Sequence, residues 1–175
     1  MKILAFGAST SSTSINRRLA LYAAGLISGA EVTNLDLRDL DLPIYSADEE
    51  ATNGVPSDAS RFLELIQSHD AVVVSLAEHN GSYTAAFKNI YDWTSRLQKD
   101  VWSDRPMLLL STSPGPGGAA IVMAAAKATF SRMGADLKAS FSLPSFNKNF
   151  SEETGITDEA LNAEFQQALA DFTAS

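Results

Sequence analysis

Apolar positions along this chain follow two alternating rhythms. Apolar runs at 71–76 (AVVVSL) and 107–110 (MLLL) have the pattern of strands buried on both faces of a parallel sheet, and residues 2–7 read as a first strand. Weaker strand signals lie at 31–37 and 135–141. Between the strands, apolar residues recur at helical spacing. Ile15, Leu19, Tyr22, Ala23, Leu26 and Ile27 form one stripe, which Gly29 closes, and Phe62, Leu65 and Ile66 mark a helix over 57–68 with Ser57 as its N-cap. Over 84–97 the inward stripe is Phe87, Ile90, Tyr91, Thr94 and Leu97, which leaves Trp93 exposed. Further helices are expected over 118–133 and 158–172, the last started by Thr157. The segment 38–56, with Pro43, Gly54, Pro56 and the acids Asp48, Glu49 and Glu50, reads as an exposed loop. Strands that alternate with helices in this way predict an α/β fold with a doubly wound parallel sheet.

In such folds ligands bind beyond the carboxyl ends of the strands, where the strand order reverses. Three loops there have unusual composition: GASTSSTSIN after the first strand, AEHNGSY after the third and STSPGPGG after the fourth. The first crowds Ser9, Thr10, Ser11, Ser12, Thr13, Ser14 and Asn16 against a helix start, where free backbone N–H groups and the helix dipole favour an anion. Ser and Thr also serve as ordinary caps and turn residues, so this loop alone reads either way. A P-loop and a dinucleotide fingerprint are both missing, because Gly7 is the only glycine before Gly25. Asp36 stands where a ribose-binding acid would sit, or is a solvated strand end.

At 175 residues the chain suits one domain, spanning 1–175. No apolar run is long enough to cross a bilayer and no secretory pattern follows Lys2, so the reading is cytoplasmic with no membrane partner. The lack of cysteine excludes disulfides, thiolate metal sites and cysteine nucleophiles, and two histidines, at 69 and 79, argue against a metal centre. A net charge of −8 argues against nucleic acid. Any phosphate must therefore be held locally, by hydroxyls and backbone amides.

The segments GASTSSTSIN, AEHNGSYTAAFKNIYDW, PMLLLSTSPGPGG and FSEETGITDE, in that order over nearly the whole chain, resemble the NADPH-dependent FMN reductases, a flavodoxin-like family that includes quinone, azo-dye and chromate reductases. The most specific match is KNxxDW, formed by Lys88, Asn89, Asp92 and Trp93. The resemblance implies a five-stranded parallel sheet of order 2-1-3-4-5 with helices on both faces. It implies FMN as cofactor, its phosphate at Ser9, Ser14 and Asn16, with Ser11 and Ile15 also in the cofactor-binding loop. The isoalloxazine and ribityl chain would then lie along Ala77, Glu78, His79, Asn80, Gly81 and Ser82. Ser113, Pro114, Gly115, Gly117 and Gly118 would approach one edge of the ring. Ser11 stands where the family usually has Arg, and Arg17 is the candidate to compensate.

By the same resemblance, NADPH or NADH gives a hydride to the flavin N5, and free flavin, quinone or a similar small-molecule acceptor takes it away, in a homodimer or homotetramer. No catalytic side chain is required. His79 reads as a ring contact, as a proton relay to a reduced quinone, or as a spacer facing solvent or a second subunit. Trp93 reads as an interface anchor or as packing beneath the following loop. The competing reading is a flavin-binding electron carrier or a degenerate flavodoxin-like protein without reductase turnover. An NAD-dependent Rossmann enzyme ranks last for want of the glycines.

Overall fold

A computed structural model describes residues 1–174. Five strands, β1 (Lys2–Ala8), β2 (Glu31–Asn34), β3 (Ala71–Leu76), β6 (Arg105–Thr112) and β7 (Ala135–Leu143), form one sheet of order β2-β1-β3-β6-β7. Every adjacent pair is parallel. The order is the expected 2-1-3-4-5, with the reversal between β1 and β3, whose registers run from Ile3 opposite Ala71 to Ala8 opposite Leu76. The remaining elements are α1 (Ile15–Gly25), α2 (Ala47–Asn53), α3 (Ser57–Ser68), a hairpin of β4 (Glu78–His79) and β5 (Ser82–Tyr83), α4 (Ala85–Leu97), α5 (Ala120–Phe130), α6 (Phe146–Asn149), a second hairpin of β8 (Phe150–Ser151) and β9 (Gly155–Ile156), and α7 (Glu159–Thr173).

The period of two along the strands divides the core. Leu4, Phe6, Val72 and Val74 face α3, α4 and α5, whereas Ile3, Ala5, Val73, Leu108 and Leu110 face α1 and α7. Phe6 meets Phe62 of α3 edge-on, with ring centroids 5.7 Å apart. Helices on both faces leave no water-facing side to β3, whose six residues are all buried. That is why the run is apolar but for Ser75.

Several expectations need correction. The second strand stops at Asn34, because Asp36 turns back to accept a hydrogen bond from Arg38 N at 3.0 Å and starts a single tight turn over Leu37–Asp39. The first helix ends at Gly25, four residues before Gly29, and α7 is capped by Asp158 in place of Thr157. The acidic stretch is the short helix α2, capped by Ser46 and carrying Asp48, Glu49 and Glu50 in its first turn, where the helix dipole favours them. No residue of α2 is buried, so no apolar period announces it.

Trp93 is completely buried and Leu97 is 41% exposed, the reverse of the expected stripe. The reason is a second layer outside α4. Asn89 Oδ1 accepts from Tyr45 N at 2.9 Å and its Nδ2 donates to Pro43 O at 2.9 Å, while Trp93 Nε1 donates to Pro43 O at 2.7 Å. Tyr45 packs edge-on against the Trp93 ring at 4.9 Å, and its hydroxyl reaches Glu50, which also pairs with Arg96. Asn89 and Trp93 of the KNxxDW segment thus pin the strap 42–45 onto α4, and Trp93 packs beneath that preceding segment.

Candidate functional site

The carboxyl end of β1 packs tightly against the first turn of α1. A Cβ on Gly7 would collide with the backbone of Asn16 and Arg17, so only glycine lets the helix start so close to the strand. Between them the hydroxyl loop folds on itself: Ser11 N donates to Ser9 Oγ at 3.1 Å and Ser14 N to Ser11 O at 3.2 Å. Ser14 caps α1, its Oγ accepting from Arg17 N at 3.1 Å. Among the described residues, no hydrogen-bond partner meets the backbone N–H of Ile15 or Asn16.

The Asn16 side chain has a different task from the one expected. Its Oδ1 accepts from Ser75 Oγ at 2.7 Å and from Thr112 N at 3.1 Å, and its Nδ2 donates to Thr112 O at 3.1 Å. All three residues are buried. Asn16 therefore brackets the start of α1 to β3 and to the tip of β6, while its backbone N–H stays open.

The second loop is the β4–β5 hairpin. Asn80 and Gly81 have φ of 53° and 72°, two left-handed residues in succession, as a tight two-residue hairpin turn requires. Glu78 Oε2 accepts from Val122 N at 2.9 Å. This carboxylate supplies the side-chain cap that α5 lacks of its own and ties the second loop to the third. In the third loop, Ser111 Oγ donates to Gly118 O at 2.7 Å. Gly118 has φ of 58°, and a Cβ there would press on the backbone of Leu143 and Pro144. Gly115 and Gly117 differ, since a Cβ on either would meet nothing within 4 Å. Protein packing does not explain these two glycines.

A cleft of about 230 Å³ joins the three loops. The hydroxyl loop contributes Ser9, Ser11, Ser14, Ile15 and Asn16; the second loop adds Ala77, Glu78 and His79, and the third Ser113 and Pro114. Asn80, Gly81, Ser82, Gly115, Gly117 and Gly118, also expected at the site, do not line it. Thr13 and Thr112 also line it, both within the loops singled out by composition but outside the positions that the family resemblance assigned. Thr13 falls between the motif positions, whereas Thr112 lies just after Ser111, where the apolar run of β6 has turned polar. His79 is exposed at the mouth.

Arg17 lies beside the hydroxyl loop but does not line the cleft. Its Nε donates to Asn34 Oδ1 at 3.1 Å and its Nη1 to Asp36 Oδ2 at 2.6 Å. Arg38 Nη2 reaches the same oxygen at 2.6 Å. Hydrogen bonding from the Arg38 side chain, helped by its backbone N–H and the Arg17 charge, outweighs burial and holds the Asp36 carboxyl at about 2. Arg18 pairs with Glu152 and lies over the Phe146 ring.

This geometry can be set beside known proteins. The sequence model of the NADPH-dependent FMN reductase family matches residues 1–148. The chain belongs to that family. An NAD(P)H-dependent FMN reductase of Pseudomonas aeruginosa is 32% identical over 121 residues, 69% of this chain and 64% of that protein. The quinone reductase of Escherichia coli is 35% identical over 80 residues, 46% of this chain and 43% of that one. The matched part thus spans 43% to 64% of these curated relatives. Among solved structures, the flavoenzyme NAD(P)H:(acceptor) oxidoreductase FerB of Paracoccus denitrificans superposes with a TM-score of 0.77 at 27% identity, over 99% of this chain and 95% of that one. The sheet order and helical layers agree with the flavodoxin-like fold that the resemblance implied.

Proposed function

We propose that this protein is an FMN-dependent NAD(P)H oxidoreductase that reduces a small-molecule acceptor such as free flavin or a quinone. The observation that carries the reading is the convergence of three loops on one cleft at the reversal point of the sheet, with two backbone N–H groups unpaired at its helix terminus. The donor set fits FMN. The hydroxyls of Ser9, Ser11 and Ser14 and the N–H groups of Ile15 and Asn16 suit a phosphate. Ala77 to His79, Ser113 and Pro114 offer backbone and side chains to a flat polar ring. When bound, FMN supplies the two-electron chemistry between the nicotinamide donor and the acceptor.

The protein's own contribution is orientation. The Asn16 bracket fixes the phosphate loop against the strand tips, Glu78 fixes the second loop against the third, and the hairpin leaves His79 free at the mouth. Its exposure there supports a part for His79 in handing a proton to a reduced acceptor. Fixed loops hold both reactants in register, which is the main service a protein can render to a reaction whose chemistry belongs to the cofactor.

The test is a visible absorbance titration with FMN followed by anaerobic NADPH, then NADH, in the same cuvette. The expected result is a perturbed flavin band that bleaches with one nicotinamide and recovers when a quinone is added. Binding without bleaching by either would make the protein a flavin carrier, and no spectral change at saturating FMN would overturn the reading.

A further inference from the structure

The chain holds two Asn-Gly pairs, Asn53-Gly54 and Asn80-Gly81, and both are exposed. In such a pair the glycine amide nitrogen can attack the carboxamide of the preceding side chain, because no Cβ stands in its way. The fold treats the two pairs differently. At the end of α2, Asn53 Nδ2 donates to Glu49 Oε1 at 2.8 Å and Gly54 N donates to Glu50 O at 2.9 Å, so both reacting groups are engaged. At the tip of the β4–β5 hairpin, among the described residues, no partner meets the Asn80 side chain and no acceptor meets Gly81 N. Each strand of that hairpin has two residues, so little pairing opposes the local opening that brings the nitrogen to the side chain.

We propose that Asn80 is a site of spontaneous deamidation, and that its isoaspartate product frees the hairpin from α5. Gly81 N, having lost its proton to water, attacks Asn80 Cγ. The N–Cγ bond forms, the Cγ–Nδ2 bond breaks, and Nδ2 leaves as ammonia. Water then opens the cyclic imide at either carbonyl; no carbon changes oxidation state and water is the only co-reactant. Opening at Cγ leaves aspartate. Opening at the main-chain carbonyl leaves isoaspartate, in which the chain runs through Cβ and Cγ and gains a backbone carbon. A turn that spans only Asn80 and Gly81 cannot absorb that carbon while His79 stays opposite Ser82. Glu78, which caps α5 through Val122 N, pairs with Tyr83 in the same short ladder and loses its place with it. Either product also sets a new carboxylate beside His79 at the mouth of the cleft, whatever the cleft binds.

The experiment ages the folded protein at mildly alkaline pH with a denatured sample alongside, and follows both Asn-Gly peptides by mass spectrometry after digestion. Each folded rate is divided by the denatured rate of the same peptide. This ratio should be about tenfold or more higher for Asn80 than for Asn53, because Asn53 reacts only when α2 frays. Hydrogen exchange at Val122 N–H should become biphasic, its fast fraction equal to the isoaspartate fraction. Asn80→Gly keeps a residue suited to the left-handed turn and should abolish both changes. Equal ratios for the two pairs overturn the proposal, as does an Asn80 that persists in the folded protein while the denatured chain converts. So does a single native exchange rate at Val122 in protein that has accumulated isoaspartate.

Discussion

Asn16 shows how one buried amide can couple a ligand loop to a sheet. Its oxygen accepts two hydrogen bonds from groups that have no water to fall back on, Ser75 Oγ and Thr112 N. Truncation to alanine strands both donors and a carbonyl, and an orphaned buried polar group costs about 1 to 3 kcal/mol. We expect Asn16→Ala to lower the free energy of unfolding by about 2 to 4 kcal/mol in urea titrations. Ser75→Ala removes only one donor while Thr112 N keeps its acceptor, so its cost should stay near 1 kcal/mol. Equal costs for the two would mean that the bracket is not organised around the Asn16 oxygen. The serine that interrupts AVVVSL is then a deliberate polar position in an otherwise apolar strand.

At the scale of elements, what could be read from the chain and what could not divide along burial. The central strands β1, β3 and β6 and the helices that cover them were legible, because each buries a continuous run or a stripe, whereas the edge strands β2 and β7 gave only weaker signals. The tight β4–β5 turn was half legible, in Asn80-Gly81, although two-residue strands leave no period to read. The short helix α2 was invisible, because no residue in it is buried. Trp93 was misread because a single stripe assumes a single packed face, whereas α4 packs against the sheet on one side and the strap 42–45 on the other. At the site, position within the motif identified Ser9, Ser14 and Asn16, but it could not show that the Asn16 side chain serves the sheet, nor that Arg17 is engaged by Asp36. Both facts depend on contacts across long sequence separations. The strap makes a prediction of its own. Asn89→Ala leaves Tyr45 N–H without its acceptor, so hydrogen exchange at Tyr45 should accelerate well above native, while stability falls by about 1 to 2 kcal/mol. Unchanged exchange at Tyr45 would show that Trp93 and Glu50 hold the strap without Asn89.

For the whole molecule, the consequence of the topology is that one ligand would touch three segments distant in sequence, from Ser9 to Asn16, Ala77 to His79 and Thr112 to Pro114, each at the end of a different strand. A ligand held in this way binds only the folded chain, so it should stabilise by mass action, by about 2.7 kcal/mol when free FMN is a hundred times its dissociation constant. For a chain of this size that corresponds to a rise in melting temperature of about 5 to 10 °C. The variants described above then separate stability from binding. Asn89→Ala loosens a strap that does not line the cleft, so it should lower the starting temperature while leaving the FMN-dependent rise intact, as expected of independent sites. Asn16→Ala releases the hydroxyl loop from β3 and β6, so it should lower the starting temperature and also shrink the rise at the same FMN concentration. A rise undiminished in Asn16→Ala would mean that the three loops need not be held in register for the flavin to bind. The sheet would then serve only to bring them near one another.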